Sequence, residues 1–215
     1  AALMGVPVVV GFTGSSIWHT VAMFPPVPAE MIERGYQDFA DRWNPIIDVF
    51  DSVGVKFAHE VHPSEIAYDY WTTKRALEAI GHREGFGLNF DPSHFMWQDL
   101  DPVGFLLEFK DRVYHVHLKE SKRKLDGRNG RLGSHLPWAD PRRGWDFVTT
   151  GHGDVPWEDI FRMLNFIDFQ YSMSVEWEDA GMDRLLGAPD ALAFVRKLAE
   201  IAPSEKAFDA AFSSQ

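Results

Sequence analysis

Val55-Lys56-Phe57-Ala58-His59-Glu60 is a short run of strand composition that ends in a carboxylate. Gly87-Leu88-Asn89-Phe90-Asp91, Val113-Tyr114-His115-Val116-His117 and Tyr171-Ser172-Met173-Ser174-Val175-Glu176 follow the same plan. Each run closes on a residue able to bind a metal, and helix-like sequence lies between successive runs. Such βαβα alternation implies a parallel sheet covered by helices. In an α/β barrel every parallel strand delivers its C-terminal residue to one face. Glu60, Asp91, His117 and Glu176 then meet there as a mixed oxygen and nitrogen site for a divalent cation.

Working outward, Val8-Val9-Val10 lies in a first strand over residues 6–13, closed by Gly14-Ser15-Ser16. Ile32, Tyr36, Phe39, Trp43, Ile46, Ile47 and Phe50 recur three or four apart, which predicts a helix over 30–50, kinked by Pro45. Ser64 is placed to cap the next helix, which Gly81 ends. Further helices are expected from Asp101-Pro102, over 155–167 and over 189–201, with a frayed tail after Pro203. Residues 119–153 show no periodicity and contain six Gly and two Pro, so about 121–150 reads as an inserted loop. Adjacent ligand candidates lie 31, 26 and 59 residues apart; the first two intervals fit single βα units and the third adds the loop. The expectation is one domain over 1–215 with five strands of an eight-stranded barrel, about three βα units being missing upstream of Ala1. A doubly wound open sheet is the alternative, but no Gly-x-Gly-x-x-Gly follows a strand.

The chain has 32 acidic and 21 basic residues, a formal net charge of -11. That balance argues against a nucleic-acid-binding surface, which needs clustered Lys and Arg. No cysteine is present, which removes disulfides and thiolate metal sites and fits a reducing, cytoplasmic setting. No apolar stretch approaches the roughly 20 residues of a membrane-spanning helix.

Three carboxylates and one imidazole favour a hard or borderline ion: manganese first, then magnesium, cobalt or zinc. His115 alternates with His117 and points to the same side of the strand, so either can be the ligand; His117 lies nearer the strand end. His94, three residues past Asp91, can hydrogen-bond a substrate oxygen or serve as a further metal ligand, and His62, two past Glu60, is a candidate for holding a substrate oxygen. Lys119 can place an ammonium near a substrate oxyanion, and Arg123 can bind a hydroxyl or phosphate. The remaining basic residues of the 121–150 segment read as solvated charge. Trp18 and Trp177, beside strand ends, are the aromatic residues best placed to pack on a sugar ring.

His59-Glu60-Val61-His62-Pro63, Phe90-Asp91-Pro92-Ser93-His94, His115-Val116-His117-Leu118-Lys119-Glu120, Gly151-His152-Gly153-Asp154-Val155-Pro156-Trp157 and Ser174-Val175-Glu176-Trp177-Glu178 occur in a familiar order. Together they resemble the sugar phosphate isomerase/epimerase superfamily, the xylose isomerase-like TIM barrels that include ketose 3-epimerases and inosose dehydratases. The resemblance runs over about residues 6–200. It implies that Glu60, Asp91, His117 and Glu176 bind metal, that Glu60 and Glu176 are the paired acid and base, and that His94 and Arg123 bind substrate. Gly133-Ser134-His135-Leu136 and Asp140-Pro141-Arg142-Arg143-Gly144-Trp145 are absent from the simple ketose epimerases, which implies a different, larger or oxidised sugar.

The chemistry expected is proton removal α to a carbonyl, giving an enediolate whose charge a divalent ion offsets. Return of the proton to the opposite face is epimerisation, return to the neighbouring carbon is isomerisation, and loss of a β-hydroxyl is dehydration. A metal-dependent apurinic endonuclease shares the barrel, but Trp145 and Phe147 stand where its Asp-x-His pair is expected. A non-enzymatic sugar-binding or assembly module is the other rival. The expected partners are a small carbohydrate and either further copies of the chain or a missing N-terminal barrel half.

Overall fold

The computed structural model describes residues 1–204, so the tail expected to fray beyond Pro203 lies almost wholly outside them. Five parallel strands form the main sheet in the order β1 (Val8–Gly11), β2 (Lys56–Glu60), β3 (Phe86–Phe90), β4 (Val113–His117) and β7 (Met173–Ser174). Gly11 stands beside His59, Glu60 beside Asn89, Phe90 beside Val116 and His117 beside Ser174. This register brings the C-terminal ends together at one edge, as a partial barrel requires. The central strand β3 is buried along its whole length, which explains its unbroken Phe-Gly-Leu-Asn-Phe composition.

Helices α1 (Ala29–Ser52), α2 (Tyr70–Ala79), α3 (Pro92–Met96), α4 (Pro102–Glu108), α5 (Trp157–Phe166) and α6 (Arg184–Leu198) accompany the strands. The core joins Phe39 and Ile47 of α1 to Phe57, Phe86, Leu88 and Phe90 of the sheet and to Phe105, Leu106, Ile160 and Phe161 of the later helices. Helix α1 runs on through Pro45, which is exposed. The carbonyl left without an N–H partner belongs to Asp41, itself an exposed residue, so water can take the place of the lost bond.

Two expected helix starts move. Asp69, rather than Ser64, caps α2: its carboxylate accepts from Thr72 N at 2.8 Å, and Thr72 Oγ1 accepts in return from Asp69 N at 3.0 Å. That reciprocal pair satisfies two end donors where a lone Ser satisfies one. Ser64 instead adopts a left-handed turn at φ 92°. Asp183 caps α6, accepting from Leu185 N at 2.8 Å, and so begins the helix ahead of Pro189. Gly81, at φ 66°, supplies the left-handed exit expected after α2.

The segment 121–150 is more than a loop. Its ends form an antiparallel pair, β5 (Glu120–Arg123) with β6 (Trp145–Val148), and Arg123 stands beside Trp145. Trp145 packs flat on Trp97 with centroids 4.7 Å apart, while Trp138 and Phe147 lie 5.2 Å apart and Phe147 meets the His94 ring edge-on at 5.5 Å. The hairpin therefore puts an aromatic wall beside the strand ends.

Glu120 anchors the base of this hairpin. It is buried, and its carboxylate accepts from Ser121 N, Val155 N, Gly151 N and the Trp157 indole at 2.8–3.2 Å. Burial nevertheless leaves its carboxyl above the usual range. Glu120→Ala would strand several buried donors at a cost of about 1–3 kcal/mol each before relaxation. We expect a loss of roughly 3 kcal/mol in chemical denaturation. A variant as stable as the parent would show that solvent replaces these bonds.

Candidate metal centre

Four elements each contribute one ligand-type residue. Glu60 ends β2, Asp91 follows β3, His117 ends β4 and Glu176 lies two residues past β7. Each offers a donor atom, and the four atoms all lie within 4.8 Å of one another. The quartet named from the sequence is thus brought together.

His117 Nδ1 is 2.6 Å from Glu176 Oε2 and 3.4 Å from Glu60 Oε2. Asp91 uses Oδ1 to cap α3, accepting from Ser93 N at 2.9 Å and Ser93 Oγ at 2.7 Å. Its other oxygen, Oδ2, is buried without a hydrogen-bond partner, as is His94 Nε2. Buried polar atoms are normally satisfied. Unsatisfied atoms of ligand type from two residues at one point fit a group that takes lone pairs, and a divalent cation is such a group.

The electrostatics agree with that fit. Burial alone would raise the Glu60 carboxyl, but the hydrogen bonds and charges of His117 and His94 outweigh it and hold the group well below the carboxylate range. Glu176 is also lowered: burial opposes the shift, and the His117 bond and the Lys119 ammonium drive it. Asp91 is raised, because complete burial dominates its surroundings. His117 is pushed up to about 10; burial resists, and the Glu176 and Glu60 carboxylates prevail. The site thus gathers anionic charge, with the His117 imidazole and the Lys119 ammonium set against it.

Lys119 is buried, with Nζ 3.1 Å from Glu176 Oε1, 3.1 Å from Glu178 Oε1 and 4.0 Å from Asp91 Oδ2. His94 Nε2 is 3.4 Å from both Glu60 Oε1 and Asp91 Oδ2. The His62 ring meets His94 edge-on with centroids 4.0 Å apart. These three residues border the quartet.

The other named residues lie differently. Arg123 directs its guanidinium to Asp99 at 2.6 Å and Asp154 at 3.4 Å, tying the hairpin to neighbouring loops. Trp177 donates its indole N–H to Thr149 Oγ1 at 2.9 Å and packs against Gly187 of α6. Trp18 meets Tyr68 edge-on and lines a cavity of about 320 Å³ with Glu65, Ile66 and Trp71. His115 bonds Ser174 Oγ at 2.9 Å, which leaves His117 as the imidazole of the quartet.

Asn89 and Glu178 went unnamed in the sequence. Asn89 Nδ2 is 3.3 Å from Glu60 Oε2 and 3.0 Å from His117 Nδ1. Both residues stand two positions from a ligand candidate, Asn89 from Asp91 and Glu178 from Glu176, and period-two alternation was the available signal.

Comparison with known proteins extends the description. The profile of the xylose isomerase-like TIM barrel family matches residues 1–198. The uncharacterized protein YfiH of Bacillus subtilis (strain 168) is 31% identical over 172 residues, which is 77% of this chain and 54% of that protein. An inosose dehydratase of Clostridium perfringens (strain 13 / Type A) is 31% identical over 146 residues, 68% of this chain and 48% of that enzyme. The chain thus spans about half the length of the curated relatives it matches.

Among solved structures, the 3-keto-D-glucoside 4-epimerase YcjR from E. coli superposes with a TM-score of 0.66 at 14% identity, covering 91% of this chain and 66% of that one. The IolI protein, solved with a bound zinc atom, gives 0.61 at 19%, covering 92% and 63%. At such identities the likeness is one of fold. The family match, the parallel partial barrel and the ligand-type residues at its strand ends agree: the chain belongs to the xylose isomerase-like TIM barrel family.

Proposed function

We propose that this chain carries the metal-binding part of a sugar-transforming enzyme, a divalent-metal-dependent isomerase or epimerase. One observation carries the reading: Glu60, Asp91, His117 and Glu176 converge at the strand ends, with Asp91 Oδ2 buried and unsatisfied. Manganese suits this oxygen-rich set best, with magnesium, cobalt or zinc as substitutes. When bound, the cation supplies a positive centre that polarises a substrate carbonyl and offsets enediolate charge.

The chain's own residues supply the rest. Glu60 and Glu176 act as the pair that removes the proton α to the carbonyl and returns one. Lys119 keeps Glu176 ionised and places its ammonium beside the developing oxyanion. His94, with its free Nε2, orients a substrate hydroxyl.

Dehydration is the second reading, favoured by the likeness to inosose dehydratases. It proceeds from the same enediolate by loss of a β-hydroxyl, so the roles of Glu60 and Glu176 carry over. The expected substrate is a small carbohydrate, larger or more oxidised than a simple ketose, and the aromatic wall beside His94 supports that size. A cytoplasmic location is part of the proposal, supported by the absence of cysteine. No described helix is long and apolar enough to cross a membrane. Among the described residues β1 and β7 each pair on one side only, and further strands of a closed barrel would pair there.

Incubating the chain with manganese and a panel of ketohexoses, 3-keto-glycosides and inososes in deuterium oxide tests the reading. Deuterium should enter the substrate α-carbon, and a chelator should stop it. No incorporation from any substrate in the metal-loaded protein would refute it.

A further inference from the structure

Trp138 lies in the connection between β5 and β6 and is 50% exposed. The other tryptophans around the strand ends are committed elsewhere. Trp97 and Trp145 cover each other with their planes 3° apart, and Trp177 turns to Thr149 and Gly187. The Trp138 ring stacks on Phe147 with centroids 5.2 Å apart. Phe147 in turn meets the His94 ring at 5.5 Å and lies 4.3 Å from Lys119 Nζ. One buried phenyl ring therefore joins Trp138 to two residues that border the metal centre.

The indole is held in place as well as open. The Arg143 guanidinium lies 4.0 Å from its ring, and Arg143 is buried. Arg143 donates to the Leu136 carbonyl oxygen at 2.8 Å and pairs with Asp146 Oδ1 at 3.2 Å. Asp146, also buried, accepts from Ala139 N at 3.1 Å. A buried ion pair adds little net stability by itself. This one fixes the backbone on both sides of Trp138 and the ring between them. The flat C–H face of a pyranose packs on such a ring, and a side chain already fixed loses little freedom when it does so.

We propose that Trp138 is the platform of a second sugar subsite. The substrate is then a glycoside: its reacting ring sits at the metal centre and its second pyranose ring packs on the indole. The first ring rests on the proposed function, and the second is what the hairpin adds. A free monosaccharide at the centre has no second ring to lay on Trp138, so affinity should rise with that ring. The opposing possibility is that Trp138 stacks on Arg143 only to close the hairpin, in which case the second ring brings no gain.

Saturation-transfer NMR titrations of the zinc-loaded chain separate the two, with unoxidised probes that bind without turnover. Methyl β-D-glucoside is compared with methyl β-cellobioside, and methyl α-D-glucoside with methyl α-maltoside. In at least one series the disaccharide should bind about tenfold tighter, the effect of one aromatic stacking contact. In Trp138→Ala that ratio should fall to about one, while Trp138→Phe should keep part of it. A ratio cancels any general weakening of the variant. The wild-type spectra require no variant: protons of the second ring should take up saturation as strongly as those of the first. A ratio near one in both wild-type series, an undiminished ratio in Trp138→Ala, or binding of none of the four sugars overturns the subsite. None of these touches the proposed function, which falls only if the metal-loaded chain exchanges no substrate α-proton for deuterium.

Discussion

Replacing Glu176 by Gln should lower solvent exchange of the substrate α-proton by about two to four orders of magnitude, the usual contribution of a positioned acid or base. The side chain keeps its shape but can no longer take up a proton. It should keep its place, because the amide oxygen can still accept from Lys119, whose Nζ is 3.1 Å from Glu176 Oε1. Glu176 is also a proposed ligand, so metal content must be measured on the same sample. Exchange lost with metal retained assigns the base role to Glu176; exchange within threefold of the parent removes it from that role.

Asp91→Asn should nearly abolish stabilisation by metal. Asp91 is fully buried, and its Oδ2 points to the site without a partner. An amide at this position can still cap α3 through the oxygen that accepts from Ser93. It removes one negative charge from the cation's surroundings. Loss of an outer-shell partner weakens metal binding about 10–100-fold, so loss of a ligand should reach at least about 100-fold.

At a metal concentration of about 100 Kd the parent gains about 2.7 kcal/mol. For a chain of this size that is a rise in Tm of roughly 5–10 °C. A variant binding about 100-fold more weakly gains roughly 0.4 kcal/mol under the same conditions. The metal-free variant should melt no lower than the metal-free parent, because a buried carboxylate without a full set of donors is itself destabilising. Differential scanning calorimetry with and without manganese reads both effects. An undiminished metal shift would remove Asp91 from the ligand set.

The sheet was legible because its strands carry their own signal. Val8-Val9-Val10, Lys56 to Glu60 and Val113 to His117 are short runs rich in β-branched and aromatic residues with breakers between them, and each became a strand. β7 covers only Met173–Ser174 of its run, and among the described residues it pairs with β4 alone. The ligand residues were legible for a related reason: in a parallel sheet, chain position at the strand end fixes spatial position.

What escaped were contacts between segments distant in sequence. Trp145-Asp146-Phe147-Val148 does alternate, but its partner strand lies beyond a long irregular stretch, so the pairing could not be read locally. Arg123 carries the residue type of a substrate ligand. Only the fold shows Asp99, in a left-handed turn at φ 59°, standing beside it and Arg131. Ser64 and Asp69 are both good caps, and the choice fell to Thr72, whose side chain bonds back to the Asp69 backbone. Trp177 lies next to Glu176, yet its indole turns to Thr149 and the Gly187 surface of α6.

Crystals of the chain soaked in manganese, measured at the manganese absorption edge, test the central assertion directly. The account predicts an anomalous peak within bonding distance of Glu60, Asp91, His117 and Glu176 together. Well-ordered crystals with all four side chains in place and no peak among them would contradict it.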